Sequence, residues 1–350
     1  MELNNQLCFI SHNYFKGGNK AKSDIEDILA SLGGRNIGLK RSSVNSKVAS
    51  FFLNLFGILK ACLLMKKGDT LVLQYPLKKY FAFVCHMAHL KGARPTCIIH
   101  DLGCFRRKKL TVKQEIKRLS CCDYVIASNS VMATWLKEQG LQKPVGALGL
   151  FDYFSSQDIS SKAEHPISDY KKVVFAGGLS MKKTSFIVEL SKRKFTFCEL
   201  DVYGKKENLH DLQANDHISF KGFIPSDDFI KQVDADFGLV WDGNSLTTCS
   251  GNFGEYLRWN SPHKASFYLR AGLPVIVWKE AAIAQLIEQL GVGFAIASLE
   301  DLNQALGSLS EEKLLDMKSK AKEVAKKLND GYFIKQALSA VPKPLKYRFI

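Results

Sequence analysis

Short apolar runs alternate along the chain with longer segments in which apolar residues recur at helical spacing. The runs predicted to be β-strands are residues 6–11, 68–76, 95–101, 123–128, 144–150, 173–178, 197–204, 217–223, 236–241 and 274–278. Strands that alternate with helices are typical of βαβ units and a parallel sheet. We therefore predict an α/β fold.

A segment rich in serine and charge separates two series of such strands. Residues 154–171 hold few apolar side chains, so we predict a linker there, between an N-terminal domain at 1–153 and a C-terminal domain at 172–331. A helix and a basic tail are predicted for 332–350. Both domains are expected to be Rossmann-like and to face a cleft, with ligands beyond the carboxyl ends of the strands.

The charge of the chain is strongly basic and uneven. The 350 residues carry a formal net charge of +15, with 24 basic and 13 acidic side chains in residues 1–170 against 25 and 21 in residues 171–350. An anionic partner is expected for the N-terminal half: nucleic acid, a phosphorylated substrate or an acidic membrane surface. The chain lacks an RNA-binding aromatic strand pattern and a helix-turn-helix signature, so we predict no nucleic-acid partner.

The cysteines and the N-terminus favour a cytoplasmic protein. The nine cysteines include no CxxC pair and lie mostly in apolar runs, as expected of buried reduced thiols. The N-terminus lacks a basic segment followed by an apolar one, so no signal peptide is predicted. A homo-oligomer is compatible with the sequence.

The most apolar stretch is residues 48–65, VASFFLNLFGILKACLLM. Its large side chains recur at helical spacing and form one wide apolar face. A packed core helix is the preferred interpretation. One alternative is a helix lying in a membrane interface between Lys47 and Lys66, which would make the protein peripheral on the inner face of the plasma membrane. A transmembrane span, which needs about 20 apolar residues, is the least favoured.

Two glycines follow a C-terminal strand at a position suited to phosphate. In FAGGLSMKK, Gly177 and Gly178 let the backbone approach a phosphate ahead of a helix predicted at about 184–193. Lys182 and Lys183 add positive charge. A phosphate cradle is preferred over an ordinary βα turn with solvated lysines.

Two further basic residues lie at the start of a helix predicted at 263–271. The segment NSPHKASFYLRAGLPVI places His263 and Lys264 in the first turn, where the helix dipole disfavours cations. A bound pyrophosphate nearby would make their charge favourable.

Asp101 follows a buried strand in the N-terminal half, in the sequence IHDLG. A carboxylate at the mouth of a strand suits a general base, and His100 lies beside it. The alternative for Asp101 is a helix cap or a loop hydrogen bond. His12, after the first strand, is a weaker candidate.

The segment 105–118, FRRKKLTVKQEIKR, is strongly basic. It suits an anionic lipid or a lipid-linked pyrophosphate, and a merely solvated face is the alternative. With the glycine-rich loop at 15–20, it supplies our candidates for binding an acceptor: Gly18, Lys20, Arg106 and Arg107.

Several of these segments together resemble one known family. GGLSMKK, KGFIP, FGLVWDG and NSPHKASFYLRAGLPVI in the C-terminal half, with residues 17–29, 99–101 and 123–136 in the N-terminal half, are similar to bacterial GT-B glycosyltransferases. Within these, the chain resembles the group of galactofuranosyltransferases and the glucosyltransferase that acts on serine-rich repeat adhesins. The resemblance covers most of the chain and implies a UDP-sugar donor bound mainly by the C-terminal half.

The resemblance also implies roles for individual residues. The residues carried over are Lys183 and Lys264 for the diphosphate, Tyr203, Gly222 and Phe223 for the uridine, and Asn260 to His263 for the lining of the same pocket. Many retaining GT-B enzymes carry a ribose-binding glutamate before GLPVI, whereas this chain has no acid between Glu255 and Glu280.

We therefore predict a metal-independent, inverting hexosyltransferase. It would move a hexose, with galactofuranose favoured, from a UDP-sugar to a hydroxyl of a surface glycan acceptor, and a lipid-linked acceptor is preferred. Asp101 would accept the proton, and no cofactor beyond the UDP-sugar co-substrate is expected. The alternatives are a UDP-glucose-dependent glucosyltransferase acting on a glycoprotein and a sugar-nucleotide epimerase of the same architecture.

One acidic motif has the form of a metal site but is interpreted as a turn. Asp234-Ala235-Asp236 matches the DxD of metal-dependent glycosyltransferases, but it lies between a predicted helix and a strand. We expect a structural turn there, and we predict no metal site.

Overall fold

The computed structural model describes residues 7–11, 13–15, 19–77, 80–106, 108–159, 168, 170–205 and 216–342. The chain divides into two compact units. The first unit comprises Met1–Leu148 with Phe333–Ile350, and the second unit comprises Gly149–Tyr332. Each unit is built on a six-stranded parallel sheet, so the predicted α/β fold with two parallel-sheet domains is confirmed.

Strands and helices alternate along both units. The strands are β1 (Leu7–Phe9), β2 (Asn13–Phe15), β3 (Arg35–Asn36), β4 (Ser42–Val44), β5 (Thr70–Tyr75), β6 (Arg94–Ile99), β7 (Tyr124–Ala127), β8 (Val145–Ala147), β9 (Lys171–Ala176), β10 (Cys198–Tyr203), β11 (Ile218–Gly222), β12 (Phe237–Val240), β13 (Val275–Trp278) and β14 (Gly293–Ile296). The helices are α1 (Lys20–Ser31), α2 (Lys47–Leu64), α3 (Phe81–Leu90), α4 (Gly103–Arg106), α5 (Val112–Leu119), α6 (Ser130–Glu138), α7 (Met181–Thr184), α8 (Phe186–Leu190), α9 (Ser226–Gln232), α10 (Gly251–Gly254), α11 (His263–Arg270), α12 (Ala284–Leu290), α13 (Leu302–Gly307), α14 (Glu311–Asn329) and α15 (Tyr332–Ser339). Each strand predicted from the sequence overlaps one of these strands, whereas β2, β3, β4 and β14 were not predicted.

The first unit has the strand order β3-β1-β5-β6-β7-β8, and β2 pairs with β4 in a separate two-stranded ladder. Its central strands β5, β6 and β7 are apolar and buried along almost their whole length, as expected of parallel strands covered on both faces. Helix α6 begins at an N-cap, since the side chain of Asn129 accepts a hydrogen bond from the backbone N–H of Met132 at 2.9 Å.

The second unit has the strand order β11-β10-β9-β12-β13-β14. The direction of strand addition reverses between β9 and β12, because β10 and β11 lie on one side of β9 and β12 to β14 lie on the other. In open parallel sheets a crevice forms at this reversal, outside the carboxyl ends of the two strands, and ligands bind there. The strand order therefore predicts a ligand site at the loops that follow Ala176 and Val240.

Tyr268 on α11 fixes that helix across β9 and β12. A Cβ placed on Gly238 of β12 would lie 2.2 Å from Cγ of Tyr268, so the ring occupies the space that a side chain would need. The Tyr268 hydroxyl accepts a hydrogen bond from the backbone N–H of Ala176 at 2.6 Å and lies 3.3 Å from the carbonyl oxygen of the same residue. The first turn of α11 is thereby held at the carboxyl edge of the sheet.

The start of the predicted linker packs within the second unit. The backbone N–H of Ser155 donates to Asn329 at 2.9 Å, and the buried guanidinium of Arg270 donates to the carbonyl oxygens of Ser155 and Gln157. Residues 160–167 and 169 of the predicted linker lie outside the described residues.

Helix α2 is not the packed core helix that the sequence favoured. Its inward face holds mostly small side chains, among them Ser50, Gly57 and Ala61, whereas large apolar side chains such as Phe56 and Leu63 are exposed. The helical spacing of the apolar residues was predicted correctly. The burial of its wide apolar face was not, because that face is exposed. By length and composition, α2 is also able to cross a membrane.

Substitution of Gly238 by alanine is expected to destabilise the second unit by about 2 kcal/mol or more, because the added Cβ overlaps the Tyr268 ring. Gly178→Ala is the matched control, since a Cβ there meets no atom within 4 Å. Urea unfolding followed by tryptophan fluorescence measures both effects, and three of the four tryptophans lie in the second unit. Equal midpoints for the two variants would contradict the assigned packing.

Candidate functional site

A glycine turn follows β9 at the reversal point of the second sheet. The backbone N–H of Gly177 donates to the carbonyl oxygen of Tyr203 at 3.1 Å. A Cβ on Gly177 would lie 3.5 Å from Cε of Lys264, and one on Gly178 would meet nothing within 4 Å. The turn therefore leaves an open backbone surface beside a lysine side chain, as a phosphate cradle requires.

Two lysines flank one carboxylate next to this turn. Nζ of Lys183 lies 3.6 Å from one oxygen of Asp242, and Nζ of Lys264 lies 3.6 Å from the other. Both distances exceed those of ordinary hydrogen bonds, and Oδ1 of Asp242 has no hydrogen-bond partner among the described residues. The three groups carry one net positive charge when both amines are protonated, so an anion is attracted to this cluster, which we call the lysine pair.

Lys264 lies in a poorly solvated position. Its side chain is 12% exposed, and Nζ lies 3.7 Å from the centre of the Phe175 ring. Burial lowers the pKa of Lys264 to about 8; Asp242 opposes this shift and the charge of Lys183 adds to it. An additional anion near Nζ would favour the charged form again.

The loops after the two central strands hold Lys183 in place. Its carbonyl oxygen accepts a hydrogen bond from the backbone N–H of Gly243 at 2.6 Å, which ties α7 to the loop after β12. That loop folds tightly, because Gly243 has φ of +128° and a Cβ there would lie 2.6 Å from Ser250. The lysine is therefore positioned by backbone contacts.

The helix predicted at 184–193 has a different form in the structure. It is broken into α7, which has four residues, and α8, which has five. So short a helix as α7 supplies little dipole, and the backbone N–H of Ser180 already donates to the Thr184 hydroxyl at 2.9 Å. The positive charge at this turn comes from lysine side chains, and Lys182 is exposed at the surface of α7.

The residues assigned to uridine lie at the carboxyl ends of β10 and β11. The Tyr203 ring packs edge-on against Phe229 at 5.2 Å. The backbone N–H of Gly204 donates to the carbonyl oxygen of Gly222, which has φ of +78° and open space where a Cβ would lie. Phe223 is 65% exposed. The structure thus brings Tyr203, Gly222 and Phe223 to the same edge of the sheet as the glycine turn.

The segment before α11 contains buried polar atoms that lack partners. Oδ1 of Asn260 is buried without a hydrogen-bond partner among the described residues, and so is Oγ of Ser266 in α11. Buried polar atoms normally have a partner, so such atoms indicate where a ligand can bind. The ring of His263 stacks on Tyr153 at 4.8 Å, which orients the imidazole.

The DxD motif forms the structural turn that the sequence predicted. It connects α9 to β12, and Asp236 accepts hydrogen bonds from the backbone N–H of Lys172 at 2.8 Å and from Nζ of Lys318 at 2.6 Å. Within the described ranges, no three His, Cys, Asp or Glu side chains are grouped so as to hold a metal ion.

In the first unit, Asp101 follows β6 and forms an ion pair with Arg106 of α4. The proposed base and one proposed acceptor-binding residue are therefore in direct contact. Nε2 of His100 lies 2.8 Å from the amide oxygen of Gln74, whose NH₂ group donates to the carbonyl oxygen of Lys22 at 3.0 Å. The amide oxygen can only accept, so the neutral imidazole of His100 carries its proton on Nε2.

Of the other acceptor candidates, Lys20 at the start of α1 pairs with Asp24 at 3.0 Å. The acceptor candidates Gly18 and Arg107, and the weaker base candidate His12, lie outside the described residues.

Sequence reasoning missed Asp242, Tyr153 and Phe175 as parts of this site. Asp242 follows β12 just as Asp101 follows β6, so the signal that singled out Asp101 was also present in the segment FGLVWDG. Tyr153 and Phe175 carry no comparable signal, because an aromatic residue near a strand is ordinarily part of a core.

Comparison with known proteins gives a consistent family. The N-terminal domain of the glucosyltransferase 3-like family matches residues 7–150, and its C-terminal domain matches residues 173–341. The chain is 30% identical over 345 residues to the beta-1,6-galactofuranosyltransferase WbbI of Escherichia coli K12, covering 95% of this chain and 96% of that protein. It is 30% identical over 140 residues to glucosyltransferase 3 of Streptococcus gordonii, 40% of each chain.

Solved structures show the same fold at low sequence identity. HepE of Anabaena, in complex with UDP-glucose, has a TM-score of 0.59 at 12% identity and covers 95% of this chain and 98% of its own. The lipopolysaccharide outer core galactosyltransferase WaaB has the same TM-score and identity, with 94% and 97% covered. Since the family domains match both parallel-sheet units, the chain belongs to the glucosyltransferase 3-like family of glycosyltransferases with the GT-B fold.

Proposed function

We propose that this enzyme transfers a hexose from a UDP-sugar to a hydroxyl of a bacterial surface glycan acceptor. The lysine pair beside the glycine turn carries the proposal, because it is an anion site at the reversal point of the second sheet. Similarity to WbbI over nearly the whole chain favours galactofuranose as the sugar, and the similarity to glucosyltransferase 3 makes glucose the second candidate.

The diphosphate of the donor is assigned to the lysine pair. Lys183 and Lys264 face Asp242 at distances that leave their N–H groups available for phosphate oxygens. The open backbone at Gly178 lets a phosphate approach closely. As the bond to the sugar breaks, negative charge grows on the departing UDP, and two ammonium groups at fixed positions stabilise it.

The uridine is assigned to the adjoining edge of β10 and β11. Tyr203 and the exposed Phe223 offer aromatic surface there, and the backbone at Gly222 is accessible. The partnerless amide oxygen of Asn260 is a further candidate contact for a polar group of the donor.

The chemical step is a single displacement with inversion. The acceptor oxygen forms a bond to the anomeric carbon, the bond from that carbon to the UDP oxygen breaks, and the hydroxyl proton passes to a general base. Asp101 is the proposed base, held by its ion pair with Arg106, and the neighbouring His100 is the second candidate. Positive charge from Lys183 and Lys264 takes the place of a divalent cation on the leaving group.

A donor screen tests the proposed function. UDP release in the presence of acceptor should be greatest with UDP-galactofuranose, compared with UDP-galactose, UDP-glucose and their N-acetyl counterparts, and should persist in EDTA. A sugar-nucleotide epimerase would interconvert its substrate without acceptor-dependent UDP release. Preference for UDP-glucose would favour the glucosyltransferase alternative, and loss of turnover in EDTA with recovery in Mn²⁺ would contradict the metal-free mechanism.

Lys264→Ala is expected to weaken UDP binding by about 10- to 100-fold, the value of charge-assisted hydrogen bonds worth roughly 1.5–3 kcal/mol. Titration calorimetry with UDP measures the effect. Lys313→Ala is the matched control, because Lys313 is an exposed lysine of the same unit. Unchanged affinity in a folded Lys264 variant would remove this residue from the donor site.

The lowered pKa of Lys264 adds a pH dependence to the same experiment. Below its pKa of about 8 the amine is charged and binds the diphosphate, whereas above it the neutral amine must first take up a proton. UDP affinity should therefore fall by about 10-fold between pH 7 and pH 9, in proportion to the charged fraction. The phosphates of UDP are already ionised over this range. The profile should become flat in Lys264→Ala.

Asp101→Asn is expected to reduce the transfer rate by about 10²–10⁴-fold while UDP affinity changes little, because the amide cannot accept the acceptor's proton. Initial rates with acceptor and UDP titration are measured in parallel. Asp123→Asn, a partly exposed carboxylate of the same unit, is the control. Near wild-type turnover would shift the role to His100, and equal losses of rate and affinity would indicate structural damage.

A further inference from the structure

The large apolar side chains of helix α2 face outward instead of toward the protein. A surface helix normally turns large apolar side chains toward the protein, but here the buried residues are mostly small. The apolar side chains that are 41% to 77% exposed are Val48, Phe51, Phe52, Phe56, Leu59, Leu63 and Leu64. Rotation by 100° per residue places six of them, all except Leu64, on one arc of the helix. A continuous apolar face of this size indicates a binding surface.

Helix α3 packs beside α2 and also carries exposed apolar side chains. Its Phe83 and Leu90 are exposed, and the Phe51 ring of α2 lies 6.4 Å from the ring of Tyr80, which precedes α3. We call the exposed apolar residues of α2 and α3 the apolar face. They belong to one unit and to consecutive helices, so the surface does not depend on the arrangement of the two units.

The sequence around the apolar face is almost free of negative charge. Residues 28–100 contain eleven lysines and arginines but a single acid, Asp69, which is buried and paired with Arg35 at 3.2 Å. The exposed basic residues of α2 and its ends are Lys47, Lys60, Lys66 and Lys67. The apolar face is therefore bordered by lysines, in a part of the sequence whose single acidic residue is buried.

We propose that the apolar face docks on an anionic lipid bilayer, with α2 lying in the plane of the interface. An apolar helix face bordered by lysines combines the two attractions that hold interfacial helices, burial among acyl chains and contact with anionic headgroups. A second copy of this chain fits less well, because joining two such faces would bring their lysines together. This inference goes beyond the proposed function and does not depend on it.

The contacts of α2 disfavour a transmembrane span. The helix packs against β2 and β4, and strands of an open ladder leave backbone groups that hydrocarbon cannot satisfy. Its 18 residues extend about 27 Å, whereas the hydrocarbon core is about 30 Å thick. In the interface, by contrast, only the outward arc enters the lipid and the strands remain in water.

Vesicle sedimentation with the full chain tests the proposal. Wild-type protein should sediment with vesicles of phosphatidylglycerol and phosphatidylcholine in roughly equal parts, and bind pure phosphatidylcholine about 10-fold less, since each lysine gains only from anionic headgroups. The triple variant Phe52→Gln, Phe56→Gln and Leu63→Gln should lose about 10-fold or more in binding to the anionic vesicles. Its side chains are exposed, so circular dichroism and UDP affinity should match those of the wild type.

The matched controls are Val131→Gln on α6 and Leu315→Gln on α14, which replace exposed apolar residues outside the apolar face and should bind vesicles like the wild type. Raising the salt concentration should weaken wild-type binding. Equal vesicle binding by the triple variant and the wild type would overturn the proposal. So would indifference to anionic lipid, or a lipid-free dimer that dissociates in the triple variant, which would identify a second copy as the occupant.

Discussion

The packing of Tyr268 against Gly238 is the contact on which the candidate site of the second unit depends. The ring lies where β12 has no side chain, and the hydroxyl joins the backbone at the end of β9. One side chain thus connects the two strands between which the order of the sheet reverses. Since Lys264 precedes Tyr268 by one helical turn, the same contact determines where the lysine reaches the glycine turn.

At the carboxyl edge of the second sheet, the protonation of Lys264 depends on its burial as well as on the neighbouring charges. Lys264 lies over an aromatic ring and is mostly shielded from water, and this burial lowers the pKa of its amine although Asp242 opposes the shift. Lys183 is more accessible and is held by the backbone of the loop after β12. In the proposed donor site, the binding of a diphosphate would therefore be coupled to proton uptake by Lys264.

The sequence was most informative where a local pattern determines the structure. The alternation of apolar runs predicted most of the parallel strands, and the DxD segment was correctly predicted to be a turn. The positions of Lys183 and Lys264 near one another followed from the family resemblance, and the structure brings both to Asp242. Asp242 was missed although it follows a strand as Asp101 does, because its contacts with Lys183 and Lys264 appear only in the folded chain.

The sequence could not predict that the large apolar side chains of α2 face outward. Periodicity shows that a helix has an apolar face but not which face packs against the protein. In α2 the small-residue side is buried, and Gly57 on that side lies close to Leu39. The short strand β14 was missed as well, since Gly293 at its start weakened the pattern. The failure at α2 concerns tertiary placement, whereas the failure at β14 concerns a weak local pattern.

Asp242 places a carboxylate between the two amines of the lysine pair, 3.6 Å from each Nζ. If the lysine pair binds the donor diphosphate as proposed, an incoming diphosphate competes with this carboxylate for the two amines, and the carboxylate takes the place of the diphosphate when UDP leaves. Such an internal competitor weakens the retention of UDP and so favours its release after each reaction.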